Sequence, residues 1–149
     1  MLDFPPAERA ALIRKYFSAC NAADFDKLIS CFTPDAVHYF PAGLPGVPWR
    51  GADTIARNWI WCVQTLGSRW TIDNIICSTD NDQAVIEWTH WKRSQSSAVR
   101  GVEWYVFHNN LIAEIRAYYA APADTNVSIN ELVHFDYLGR GYAIAPPED

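Results

Sequence analysis

The segment from residue 12 to residue 37 restricts the fold of this chain more than any other part. Apolar side chains at helical spacing predict a first helix from Pro6 to about Asn21: Leu12, Ile13, Tyr16, Phe17 and Cys20. Asp24 stands where an N-cap would begin a short second helix that carries Phe25, Leu28, Ile29 and Phe32. A strand is expected to begin at Asp35. The order is therefore long helix, short helix, strand.

The rest of the chain predicts one more helix and a run of strands. The Pro- and Gly-rich segment 40–50 is expected to form a loop at a pocket mouth, and 53–66 a third amphipathic helix that Gly67 closes. Four long strands follow, at about 69–78, 83–93, 98–108 and 111–121, with Asp- and Asn-rich turns between them. Three helices followed by an antiparallel meander indicate an α+β fold with the helices packed on one sheet face.

Length and charge narrow the class of protein. The 149 residues fit a single domain, 1–149, in which 122–149 forms a C-terminal extension over the pocket or a dimer partner. A net charge of -5 without a Lys/Arg cluster argues against nucleic acid as a partner. No stretch approaches the roughly 20 apolar residues that cross a bilayer, and no signal segment begins the chain, so a cytoplasmic location is expected.

The cysteines and histidines do not predict a metal or cofactor. The four cysteines lack C-x-x-C spacing and are expected to be free thiols: Cys20, Cys31, Cys62 and Cys77. The four histidines lack metal-ligand spacing: His38, His90, His108 and His134. We therefore expect no metal and no cofactor.

The helix, short helix and strand order, with the motif F-x-x-D-A at residues 32–36, resembles the nuclear transport factor 2-like superfamily. That superfamily includes ketosteroid isomerase, scytalone dehydratase, limonene epoxide hydrolase and the SnoaL-like polyketide cyclases. The resemblance covers roughly residues 6–121. It implies a cone-shaped barrel of a curved, mainly antiparallel sheet wrapped around three N-terminal helices. It also implies a small hydrophobic substrate and a homodimer formed through the sheet face.

The same resemblance assigns roles to two residues, and at one catalytic position this chain lacks the residue that the family uses. Tyr16 falls where ketosteroid isomerase has its oxyanion-hole tyrosine, and Glu103 falls close to its protonated acid. The general-base aspartate of that family would fall on Phe40, which cannot abstract a proton. His38, two residues earlier on the strand, is expected to share the inward face, so a histidine becomes the predicted base.

Strand alternation adds further candidates. Alternation puts Val85, Glu87, Thr89 and Trp91 on one face and Ile86, Trp88 and His90 on the other, and the resemblance implies that the Glu87 face points inward. With His38 and Glu103, an inward Glu87 would place two carboxyls in apolar surroundings and raise the pKa of at least one. Predicted substrate contacts are Phe40, Trp49, Asn58, Trp59, Thr89, Tyr105 and Tyr119. The predicted dimer face carries Trp88, His90, Trp104, Arg116 and Tyr118.

Each candidate also has an ordinary structural reading. His38 would then be an edge-strand histidine bonded to backbone, and Tyr16 a core tyrosine. Glu87 would face solvent if one bulge shifted its strand by a residue. Glu103 would form a salt bridge with Arg100 or Arg116. His134 and Asp136 in the tail are further candidates for closing the pocket.

Three functions remain open on this basis. The first is a cofactor-independent lyase, isomerase or cyclase that moves protons on a hydrophobic, aromatic or polycyclic hydroxy or carbonyl compound. In it His38 is the base and Glu103 the acid, with Tyr16 and Asn58 as polarising donors. The second is a non-catalytic carrier of a small apolar ligand. The third, an assembly domain, would bury polar groups without partners at a cost in stability.

Overall fold

The computed structural model describes residues 3–93, 99–119, 132–142 and 144–145. The helices are α1 (Pro6–Ala22), α2 (Phe25–Ile29) and α3 (Ala52–Trp61), and a π-helical turn at Cys62–Leu66 continues α3. The strands are β1 (Phe32–Tyr39), β2 (Trp49–Arg50), β3 (Arg69–Cys77), β4 (Gln83–Trp91), β5 (Val99–His108) and β6 (Leu111–Tyr119).

Local signals in the sequence set the predicted element boundaries. The Asp24 side chain accepts a hydrogen bond from the backbone N–H of Lys27 at 3.0 Å, which caps α2. Gly67 ends the π-helical turn at φ 66°, a left-handed conformation that glycine adopts without strain. Asn109 and Asn110, at φ 50° and 60°, form the turn between β5 and β6. These predicted features are confirmed.

The six strands form one curved sheet that does not close into a barrel. Their order is β2-β1-β6-β5-β4-β3, with β1 and β6 parallel and the other neighbouring pairs antiparallel. The core between the helices and the sheet contains Ile13 and Tyr16 of α1, Ile55 of α3 and Ile86 of β4. This arrangement confirms the α+β class and the helices on one face of a curved sheet. The strand β2 lies in the segment that was predicted to be loop only.

The predicted phase of β4 is wrong. Ala84, Ile86 and Trp88 are buried, and Ile86 pairs with Glu103 across the sheet, so these residues face the helices. Glu87 is exposed on the outer face, where its Oε1 accepts a hydrogen bond from Asn74 Nδ2 at 2.8 Å. The set with Ala84, Ile86 and Trp88 is more apolar than the set with Gln83, Glu87 and Thr89, so placing the first set in the core buries more apolar surface.

Thr89 shares the outer face with Glu87, contrary to the expectation that it contacts substrate. Its hydroxyl donates to Asp73 Oδ2 at 2.6 Å and accepts from Arg100 Nη1 at 2.8 Å. The side chain is buried because these two residues cover it. Thr89 therefore belongs to a surface network on β3, β4 and β5.

The described part of the C-terminal extension packs on the outer sheet face. Phe135 lies edge-on against Tyr39, and the Arg140 guanidinium binds both carboxylate oxygens of Glu114 at 2.9 and 3.0 Å. Arg116 is buried beneath Phe135, so its side chain is not exposed for contact with a second copy of the chain. The predicted cover over the pocket falls largely on 120–131, 143 and 146–149, outside the described residues. The homodimer stays a prediction.

Among the described residues, no helix is both long and apolar enough to cross a membrane.

Candidate active site

A cavity of about 350 Å³ opens between the helices and the concave sheet face. Residues of β2, α3, the π-helical turn, β3, β4, β5 and β6 contribute to its wall, and so does Phe40, which follows β1. Aromatic side chains make up most of that wall: Phe40, Trp49, Trp59, Trp70, Trp88 and Tyr119. The loop residues Ala42, Gly43 and Leu44 also line it, which supports the prediction that 40–50 lies at a pocket mouth. The cavity is therefore a mainly apolar pocket of the size that small ligands occupy.

Glu103 is the one carboxylate on the wall of this cavity among the described residues. Its side chain is buried, and Oε2 accepts a hydrogen bond from the Tyr105 hydroxyl at 2.5 Å. Burial raises the pKa of Glu103 to about 7, although the bond from Tyr105 acts in the opposite direction. The alternative salt bridges are not formed, because Arg100 lies against Asp73 and Arg116 against Glu114.

His38 lies directly behind Glu103. Its Nε2 is 3.7 Å from Glu103 Oε1, and its Nδ1 is 3.3 Å from the backbone carbonyl of Tyr39. A carbonyl only accepts, so we assign the ring proton to Nδ1, which leaves the Nε2 lone pair aimed at the carboxyl. Burial lowers the pKa of His38 to about 3. The two side chains therefore form a neutral dyad when Glu103 is protonated.

Phe40 separates His38 from the cavity. The two rings are stacked, with centroids 4.0 Å apart and planes within 5°. His38 is fully buried and is not part of the cavity wall, whereas Phe40 is. The prediction that His38 meets substrate as a base needs correction, because from this position it reaches a ligand only through Glu103.

Tyr16 and Tyr105 lie deeper than Glu103, in the core. Tyr16 packs edge-on against Phe32 and Tyr105, at centroid distances of 5.1 and 6.5 Å. Burial raises the pKa of both hydroxyls well above the usual value, so both keep their protons. Neither residue lines the cavity. Tyr105 contacts Glu103, whereas Tyr16 occupies the position of a core tyrosine.

His90 lines the cavity, although the sequence placed it on the outer face with Trp88. Its Nε2 is 2.9 Å from the Ser68 hydroxyl, and its ring stacks on Trp70 with centroids 4.7 Å apart. Burial, with a smaller contribution from the charge of Lys92, lowers the pKa of His90 to about 4, so the imidazole is neutral near pH 7. The signal that could have found it is the shared phase of His90 with Ala84 and Ile86.

The predicted site residues therefore divide into three groups. Five of them line the cavity: Phe40, Trp49, Trp59, Glu103 and Tyr119. His38 and Tyr105 contact Glu103 from behind. Tyr16 is deeper in the core, Asn58 is half-buried on α3 and is not on the wall, and Glu87 and Thr89 face away. Within the described residues, no group of three His, Cys, Asp or Glu side chains is placed to hold a metal ion.

The sequence itself matches the model of the SnoaL-like domain over residues 13–115. This chain belongs to the SnoaL-like domain family. The matched range runs from within α1 to the middle of β6, and it includes Phe40 and Glu103. The family lies within the nuclear transport factor 2-like superfamily, so the resemblance drawn from residues 32–36 is confirmed.

Solved structures show the same SnoaL-like fold. A protein of unknown function with a cystatin-like fold from Methylobium petroleophilum PM1 is 46% identical, with a TM-score of 0.90 over 98% of this chain and 97% of its own. A proposed polyketide cyclase from Sinorhizobium meliloti is 22% identical, with a TM-score of 0.61 over 72% of this chain and 93% of its own. A proposed ketosteroid isomerase from Kribbella flavida DSM 17836 is 15% identical, with a TM-score of 0.62 over 80% and 82%. The search of curated proteins found no match.

Proposed function

We propose that this SnoaL-like protein is a cofactor-independent acid–base enzyme, a lyase, isomerase or cyclase. Its substrate would be a small hydrophobic, aromatic or polycyclic compound that carries a hydroxyl or carbonyl group. Similarity in fold to a proposed polyketide cyclase and a proposed ketosteroid isomerase is consistent with this class of reaction. The aromatic wall of the cavity supports an apolar substrate.

One observation carries the proposal: Glu103 lies on an apolar cavity wall with its pKa raised to about 7. A carboxyl with that pKa is populated in both protonation states near neutral pH. It can therefore accept a proton from a carbon acid and give it back within one catalytic cycle. Desolvation also strengthens the ionised form as a base, because water no longer stabilises its charge.

The surrounding groups have separate roles in this proposal. Glu103 is the residue that touches substrate, and the Tyr105 hydroxyl holds its carboxyl in place. His38 is a positioning residue, whose Nε2 can take a hydrogen bond from the protonated carboxyl after a small approach from 3.7 Å. Trp88 lines the cavity, where its ring would contact the apolar part of the substrate.

The direct test uses 5-nitrobenzisoxazole, a neutral aromatic compound that opens when a base removes its ring proton. The wild-type rate is expected to rise with pH around a midpoint near 7, because the carboxylate is the active form. Glu103→Gln should lower the rate at least about 100-fold, the usual contribution of a positioned base. Glu87→Gln is the matched control, since it removes the same group from the outer face of the same sheet.

Equal rates in the Glu103→Gln and Glu87→Gln variants would show that Glu103 is not the base. A wild-type protein that binds the compound without turning it over would instead favour the carrier function. A melting curve for each variant separates a catalytic effect from loss of fold.

A further inference from the structure

One cation lies on the cavity wall among the described residues, although the chain as a whole is acidic. Lys92 lines the cavity just beyond the end of β4. Arg69, at the start of β3, pairs with Trp91, and the Arg93 side chain lies against Gly67. Arg100 is not part of this group, because its guanidinium lies against Thr89 and Asp73 on the outer sheet face. Lys92 thus places a positive charge on the cavity wall, in a chain whose net charge is -5.

Lys92 is available to a ligand. Among the described residues, its ammonium group forms no salt bridge and no side-chain hydrogen bond. Its charge nevertheless acts inside the cavity, because it lowers the pKa of both His90 and Cys62, and both of these side chains are on the wall. A cation that affects two wall residues and has no carboxylate partner is placed to attract an anion.

The two polar ends of the cavity are well separated. Ile86 pairs with Glu103 and His90 pairs with Val99, so the levels of Glu103 and His90 are four residue steps apart along β5. At the rise of a strand this is about 13 Å. The wall between those levels includes the aromatic rings of Trp88 and Tyr119. A ligand that used both ends would need an apolar body of about that length.

We propose that the natural ligand is an apolar organic anion whose acidic group lies at Lys92 and whose hydroxyl or carbonyl end reaches Glu103. The Glu103 half of this statement rests on the proposed function. The Lys92 half does not, because it depends only on the charge of Lys92 and its position on the cavity wall. A carboxylate and a sulfonate would satisfy Lys92 equally, so the proposal names an anionic group of either kind.

The test compares 2-naphthoate with 2-naphthamide, which share a ring system and differ in charge. Binding to the wild-type protein is measured by titration calorimetry near neutral pH and at low ionic strength. We expect the naphthoate to bind about fivefold more tightly, the size of a partly solvated ion pair. Added salt should reduce the preference, because it screens an exposed pair.

Two lysine variants assign the preference to one residue. Lys92→Gln should bring the two affinities together, mainly by weakening the naphthoate. Lys15→Gln is the matched control, because Lys15 is exposed on α1 and its ammonium bonds to Ser30 rather than to a cavity residue. It should leave the fivefold preference unchanged.

Three outcomes would each overturn this proposal. The wild type could bind the two probes equally, it could bind neither of them, or the preference for naphthoate could persist in Lys92→Gln. The outcome is separable from that of the proposed function. A naphthoate preference that depends on Lys92, beside a nitrobenzisoxazole rate that does not depend on Glu103, would remove the enzyme and keep the anion site. The reverse pattern would remove the anion site and keep the enzyme.

Discussion

The two faces of the β4–β5 pair each carry a glutamate, and the two side chains have different surroundings. On the concave face, Glu103 is 5% exposed, contacts the Tyr105 hydroxyl and His38, and has its pKa raised to about 7. On the convex face, Glu87 is exposed and accepts a hydrogen bond from the Asn74 amide. Burial and aromatic walls, rather than residue type, make one of these carboxyls a candidate acid–base group.

The comparison extends to the apolar residues. Ile86 and Ile76 are both strand isoleucines, but Ile86 is 1% exposed in the core and Ile76 is 67% exposed on the outer face. The concave face is therefore the side on which packing and chemistry are both sensitive to substitution. The convex face is sensitive only where other residues cover it, as Phe135 covers Arg116.

The largest stability difference between the faces should come from alanine substitution of these two isoleucines. Ile86→Ala is expected to lower the free energy of unfolding by about 4 kcal/mol, because it removes buried methyl groups and leaves a cavity. Ile76→Ala should cost no more than about 1 kcal/mol. Urea unfolding followed by tryptophan fluorescence measures both. Similar losses in the two variants would contradict the assignment of the faces.

A pH-dependent difference should follow from Glu103→Gln. A carboxyl whose pKa is raised on folding from 4.5 to about 7 contributes stability that is full below pH 4.5 and is lost as the pH rises through 7. Between pH 4.5 and 7, the free energy of unfolding of Glu103→Gln should therefore rise relative to that of the wild type. The relative gain should reach at most about 3 kcal/mol above pH 7. Glu87→Gln should stay within about 0.5 kcal/mol of the wild type. If the stability difference between Glu103→Gln and the wild type did not change with pH, the Glu103 carboxyl would not be desolvated.

The smallest predicted effect concerns the tyrosine that contacts Glu103. The Tyr105 hydroxyl favours the ionised carboxylate, so Tyr105→Phe should raise the pKa of Glu103 further. The midpoint of the nitrobenzisoxazole rate profile is then expected to move to higher pH by about one unit. Tyr118→Phe, on the outer face, is the control. A shift to lower pH in Tyr105→Phe would show that the hydroxyl does not donate to the carboxylate.

Local patterns in the sequence predicted the elements of this fold well. The apolar spacing of α1, the cap at Asp24 and the glycine at residue 67 each depend on neighbours within a few positions along the chain. Glu103, Phe40, Trp49 and Trp59 were found through the family resemblance or through composition, whereas Trp70 was not predicted and Trp88 was predicted on the outer face. Predicting the features that were found did not require knowing which face of each strand points into the core.

The phase of β4 and the depth of His38 could not be obtained in the same way. The resemblance placed the more polar set of β4 inside, whereas the pairing of Ile86 with Glu103 places Ala84, Ile86 and Trp88 there. His38 was correctly assigned to the inner part of the molecule, but the stacking of Phe40 over it depends on tertiary packing. His90 was placed on the wrong face because it shares the phase of Ile86, and that phase was predicted to face outward.

The enclosure of Glu103 has a consequence for isotope exchange. Its carboxyl is surrounded by Tyr105, His38 and aromatic rings, and little of it meets water. A proton that Glu103 removed from one carbon would thus be returned to the same molecule more often than it would be replaced from solvent. Turnover in deuterium oxide would then give a product that retains most of its original hydrogen, in contrast to one formed by a base open to solvent.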